Sequence, residues 1–271
     1  MLTNQTPGDE DRPFRVSKDL REAYPNSSRA PRTAVACRML ADLECPVPDG
    51  EDRYKEAEHF INAMETDYHD PRKFRFALNA FLASARAVQT LLQKDLEKRG
   101  DVKWWNQRKT PQSLDPLLQT LSLSRNATLH QASVYDGSRV AVGLFRGRRW
   151  KLGMGADLAH DRTSHSLLLE WQRSELATMF LDDERSDLGE QYGVLRQYFI
   201  ESLSTDEDVL RTCRRIFIKI DALLSAAHEI VNAPFPGIDE EIAVSDDSIL
   251  KVTVLLESDV DPTLPKKWGW V

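Results

Sequence analysis

The stretch from Pro71 to about Arg99 constrains this chain more than any other part of it. Apolar side chains fall at Phe74, Leu78, Phe81, Ala85, Val88 and Leu92, and this spacing of three to four residues lines one face of an α-helix. Pro71 suits the first helical position, where its missing N–H has no intrahelical partner to lose. Gly100 suits the stop, because it can adopt a left-handed conformation without a Cβ penalty. A helix is also predicted over Asp52–Tyr68, with Ala57, Phe60, Ile61 and Met64 on one side. His69-Asp70-Pro71 separates the two, since the residue before a proline is pushed out of the α region. His69 and Asp70 read as a helix cap rather than as a ligand pair. A tight turn between two such helices makes an antiparallel helical hairpin.

The rest of the chain is less regular. Residues 1–50 are rich in Pro, Ser and Asp and read as an irregular arm, with a short helix expected near Thr33–Leu43 and a linker at 45–52. Residues 101–110 read as a polar, aromatic connector, followed by a helix from about Gln112 through Leu114, Leu117, Leu118 and Leu121. Helical composition continues over 124–133. The period then changes to two: residues 139–153 predict a β-hairpin turning near Arg146–Gly147, with Val140, Val142 and Leu144 alternating. Residues 164–172 fit a strand or a helix, and 182–190 an acidic loop. A long helix is expected from about Asp206 to Asn232, its stripe built from Val209, Cys213, Ile216, Ile220, Leu224, Ala227 and Val231. Cys213 belongs to that core stripe, and His228 beside it reads as structural. Residues 249–258 alternate and predict a strand that joins the hairpin. The expected fold is mainly α (α+β), divided as arm 1–50, helical core 51–135, hairpin and acidic insertion 136–204, and packing helix with final strand 205–271.

Charge divides the 271 residues differently from the elements. The net charge of −7 would by itself argue against nucleic acid. Residues 98–151, however, carry 11 basic and 3 acidic side chains, net +8, while 152–271 carry net −12. The cations include Lys98, Arg99, Lys103, Arg108, Lys109, Arg139, Arg146, Arg148, Arg149 and Lys151, interleaved with Trp104, Trp105, Phe145 and Trp150. Cations neutralise phosphates and exposed rings stack on bases, which suits RNA or single strands. The same charges could instead pair with the acidic C-terminal half, within the chain or across a dimer. Three cysteines without CxxC spacing fit a reducing cytoplasm rather than a disulfide framework. No signal peptide, membrane span, cofactor motif or metal motif is legible. His160, Asp161 and His165 lack a ligand spacing and read as solvated loop residues.

One run inside the cationic segment could carry chemistry. Arg125-Asn126-Ala127-Thr128-Leu129-His130 sets a guanidinium and an imidazole five residues apart. Five helical steps leave Arg125 and His130 about 140° apart, whereas Asn126 and His130 share a face. Imidazole exchanges protons near neutrality, and guanidinium matches a phosphate bidentately and stabilises its developing charge. A base and a phosphate clamp are sufficient, without a metal, to cleave RNA by attack of its own 2′-OH.

RNATLH resembles the signature of the HEPN (higher eukaryotes and prokaryotes nucleotide-binding) domains: Arg, four to six residues, then His, with a polar residue after the Arg. The resemblance covers about 52–135 and extends to the helix at 206–232, with the hairpin outside the pattern. It implies a HEPN-like helical bundle acting as a metal-independent endoribonuclease in a toxin–antitoxin or antiviral-defence setting. It further implies a homodimer through the motif-bearing helices, and an antitoxin or regulatory protein as a further partner. Carried over, Arg125 and His130 would be catalytic and Asn126 supporting. Arg86, and more weakly Ser84 and Asn79, would face the cleft. Lys103, Arg108, Lys109, Arg146, Arg148, Arg149 and Lys151 would hold the RNA backbone. The alternative is a non-catalytic interaction module whose basic segment docks on an acidic partner, because a fold does not license an activity.

Overall fold

Helix α1, Pro48–Thr66, begins four residues before the linker was expected to end. Pro48 occupies its first turn beside Asp49 and Glu51, whose charges favour a helix N-terminus. Helix α2, Pro71–Arg99, starts at Asp70, whose carboxylate accepts from the N–H groups of Arg72 and Lys73, and ends at Gly100 with φ 84°. The predicted cap and stop are therefore both present. The computed structural model describes residues 45–119, 121, 137–158, 162–179, 186–200, 207–235, 237–238 and 243–271. The arm, the expected helix near Thr33–Leu43 and the helical reading of 124–133 lie outside them.

The α1–α2 hairpin is closed by α6, Val209–Glu229. Its stripe of Val209, Cys213, Ile216, Ile220, Leu224 and Ala227 is buried in one core with Tyr54, Ile61, Met64, Phe74, Leu78, Phe81, Val88 and Leu92. Burial of a Leu or Phe side chain is worth roughly 1.5–3 kcal/mol, so this three-helix core is the main source of stability. Tyr54 stacks on Phe217 at 4.7 Å and donates to the buried Asp221 carboxylate at 2.9 Å.

Residues 102–110 are not a connector. They form α3, Val102–Leu114, because Trp105 turns into the bundle core and is buried there. Asp115 ends it: its carboxylate accepts from Leu117 and Leu118 N–H, and it also pairs with Lys219. The helix expected from Gln112 is thus split at Asp115, with the end of α3 on one side and a short helical segment at 116–119 on the other.

The second layer is a four-stranded antiparallel sheet in the order β2-β1-β3-β4. Strands β1, Gly137–Arg146, and β2, Arg149–Leu158, form the predicted hairpin. Helix α4, Ser164–Gln172, resolves the open reading of that segment, and α5, Glu175–Met179, follows it. The side chain of Thr163 accepts from Ser166 N–H, and Leu167, Leu168 and Trp171 pack on Val140, Leu144 and Val194 of the sheet. His165 lies on this helix rather than in a loop; His160 and Asp161 lie outside the described residues.

Strand β3, Glu190–Phe199, is central and was not anticipated. Its alternation is broken by Gly193 and by Arg196, which is fully buried. The predicted strand at 249–258 is mostly helical. Helix α7, Asp246–Thr253, is capped by Ser245 and opened by two acidic residues, which leaves Val254–Leu256 as the three-residue β4. Helices α8, Glu257–Val260, and α9, Leu264–Lys267, complete the chain. No described helix is long and apolar enough to cross a membrane.

Candidate nucleic-acid interface

The β1–β2 turn is built by Gly147, with φ 56°, followed by Arg148 at negative φ. A positive φ at the first central position alone is the II′ pattern, which matches the twist of the flanking strands. Next to the turn, Leu144 pairs with Leu152 but Phe145 pairs with Trp150, so Lys151 is the extra residue of a bulge. Further along, Gly143 and Gly153 oppose each other in such close approach that a Cβ on Gly153 would lie 2.0 Å from the Val142 carbonyl oxygen.

Arg148 is the anchor of this turn. Its guanidinium grips the Asp259 carboxylate with two bonds, at 2.8 and 2.9 Å, and donates to the Val254 carbonyl. Such a bidentate pair is stronger than a point-charge contact. It clamps the hairpin tip to the α7–β4–α8 segment. A groove of about 440 Å³ results, lined by Arg146, Gly147, Arg148, Arg149, Asp247, Leu250 and Lys251. Arg146 also pairs with Glu190 at 2.8 Å. Arg149 and Lys251 are exposed, and neither has an acidic partner among the described residues. Trp150 beside them is 46% exposed. Asp247, Leu250 and Lys251 were not legible as site residues, because about 100 residues separate them from the turn.

The other expected site residues do not join this groove. Arg125, Asn126 and His130 lie outside the described residues. Arg86 is half-buried on α2 and donates to Gln89 Oε1 at 2.8 Å, while Ser84 donates to Glu56. Asn79 Oδ1 is buried with no partner among the described residues. Lys103, Arg108 and Lys109 belong to α3, where Arg108 covers the Trp104 ring at 4.0 Å. Lys151 is exposed on the bulge but is not part of the groove lining. Trp105 and Phe145 are buried and offer no stacking surface, so the expectation of four base-stacking rings is corrected to an exposed Trp150 and, separately on α3, a half-buried Trp104.

Where the bundle meets the sheet there is a buried polar junction. Asp208, the α6 N-cap, accepts from Tyr68 Oη at 2.5 Å and from the N–H groups of Tyr198 and Leu210 at 2.8 Å each. Burial pushes its carboxyl up to about 6 despite these donors. Arg196 donates to the Arg162 carbonyl at 2.6 Å. Nearby His69 lies 2.9 Å from Ser164 Oγ. Burial, and then the Arg196 charge, push its pKa down to about 4.

These features define an α+β protein in which a three-helix bundle supports a small sheet, with a cationic hairpin turn clamped to the C-terminal segment. The family model for bacteriophage lambda protein ea47 matches residues 39–241, three quarters of the chain. The chain therefore belongs to the bacteriophage lambda ea47 family. No curated protein and no solved structure matches it.

Proposed function

We propose that this ea47-family chain binds RNA along the hairpin-turn groove and cleaves it as a metal-independent endoribonuclease of HEPN type. The groove carries the binding half of the reading: Arg149 and Lys251 have no described acidic partner, and Trp150 is exposed at the rim. Cations neutralise phosphates there and the indole offers a stacking face. The bundle supports the HEPN half, since α6, which lies in the second region of resemblance, packs on the α1–α2 hairpin in one core. Arg125 would clamp the scissile phosphate, His130 would move the proton and Asn126 would orient them. Two copies would contribute their motifs to one cleft, and defence or toxin–antitoxin action would follow from cleaving cellular RNA.

Cleavage of mixed RNAs by the full chain in EDTA is the test. His130→Ala and Arg125→Ala should abolish it while the folded spectrum is kept, and Arg149→Glu should weaken RNA binding and flatten its salt dependence. Wild-type protein inert on diverse RNAs overturns the nuclease reading. A second reading is favoured by Arg146–Glu190 and Arg148–Asp259, in which the basic segment pairs with its own acidic half. The protein would then be a non-catalytic interaction module, and charge reversal at Arg149 would abolish a protein complex rather than RNA binding.

A further inference from the structure

Cys45, Glu51 and His228 come from three separate places: the residues before α1, the first turn of α1, and the end of α6. Their donor atoms all lie within 4.8 Å of one another. Cys45 Sγ donates to Glu51 Oε2 at 2.9 Å. His228 Nε2 lies 3.6 Å from Cys45 Sγ and 3.4 Å from Glu51 Oε2. We propose that these three side chains bind Zn²⁺, with a water as fourth ligand.

The geometry argues for it edge by edge. With Zn–S ~2.3 Å, Zn–N ~2.05 Å, Zn–O ~2.0 Å and tetrahedral angles, the ligand atoms of a site should stand ~3.5 Å (S to N), ~3.3 Å (N to O) and ~3.5 Å (S to O) apart. Two of the three observed edges match these values, at 3.6 and 3.4 Å. The third, at 2.9 Å, is shorter because a thiol proton occupies it as a hydrogen bond. When the thiol proton leaves, that bond is lost and the edge opens by about 0.6 Å, within reach of one side-chain rotation.

The surrounding bonds fix the donors. His228 Nδ1 lies 2.9 Å from the Leu224 carbonyl oxygen, which can only accept, so Nδ1 carries the hydrogen and Nε2 presents its lone pair to the cluster. Phe235, 4.8 Å from the imidazole, restricts the ring. Glu51 Oε1 is held by Lys55 at 2.7 Å, which leaves Oε2 as a single ligand atom. A thiolate and a carboxylate neutralise the dication with a neutral imidazole. A soft sulfur beside an imidazole selects Zn²⁺ over Mg²⁺ or Ca²⁺. The ion would clasp the start of α1 to the end of α6, adding to the bundle core and to the Tyr54–Asp221 hydrogen bond that already join the two helices.

Co²⁺ titrated into the metal-free full chain tests this. A thiolate-to-cobalt charge-transfer band and tetrahedral d–d bands are expected, both displaced by Zn²⁺, together with a raised unfolding temperature in Zn²⁺. Cys45→Ser should remove the charge-transfer band, and Glu51→Gln and His228→Gln should each weaken binding at least as much as the ~100-fold upper figure for outer-shell partners. Cys37→Ser should leave the band intact. Absence of any band with folded protein, survival of the band in Cys45→Ser, or its loss in Cys37→Ser overturns the proposal. RNA cleavage is not read here, so failure of this site leaves the nuclease reading untouched.

Discussion

Replacing His69 by Gln should remove a penalty that the fold carries in acid. The imidazole sits where the α1–α2 turn meets α4 and α7, bonded to Ser164 Oγ and to the backbone of Val252. Burial and the Arg196 charge hold its pKa at about 4, against 6.5 when solvated. The unfolded chain therefore takes up a proton below 6.5 that the folded chain refuses until about 4. The stability due to the neutral ring is complete above 6.5 and is lost as the pH falls through about 4. By about pH 4.5, two pH units of proton uptake at ~1.4 kcal/mol each, discounted for partial exposure, amount to roughly 2 kcal/mol. Glutamine does not titrate, and at about pH 7.5 its variant should be ~1–2 kcal/mol less stable than the wild type through lost hydrogen bonds. At about pH 4.5 that gap should close or reverse. Asp208 moves the opposite way: raised to about 6, it contributes stability at low pH that is lost as the pH rises. Both proteins keep Asp208, so it cancels in the difference. Urea unfolding of both proteins at the two pH values gives the gap directly. A gap that stays constant would refute the account of a buried, neutral His69.

Two further outcomes test the sheet and its groove. Arg148→Ala should cost about 1–3 kcal/mol in urea unfolding, because the Asp259 carboxylate and the Val254 carbonyl lose their donor, while Arg149→Ala should change stability by less than ~0.5 kcal/mol. Gly153→Ala should lower the unfolding midpoint strongly, since its Cβ would meet the Val142 oxygen at 2.0 Å, whereas Gly155→Ala, with its nearest contact at 3.8 Å, should be near neutral.

Much of the bundle was written in local signals. Asp70, Pro71 and Gly100 mark both ends of α2 by their own backbone chemistry, and the apolar stripe of α6 has only one way to be buried. The β1–β2 hairpin follows equally from alternation around a glycine turn. Strand β3 did not, because Arg196 occupies an inward position and breaks the polarity pattern on which strand reading depends. Helix α3 was missed for the converse reason: Trp104 and Trp105 signal exposed aromatics in a polar run, yet only burial of Trp105 makes the run a helix.

The site divides along the same line. Sequence alone determined that a cationic segment surrounds Arg125, Asn126 and His130, since charge and residue order need no fold to be counted. Tertiary structure decided which cations face solvent and which are spent internally. Arg148 became an anchor on Asp259, Arg146 a partner of Glu190, and Lys251 a wall of the groove, through contacts between residues 44 to 111 positions apart. Cys45, Glu51 and His228 meet on the same terms, across up to 183 residues. Contacts at such separations leave no periodic trace in the chain, because they depend on how whole elements pack and not on the neighbours of any one residue.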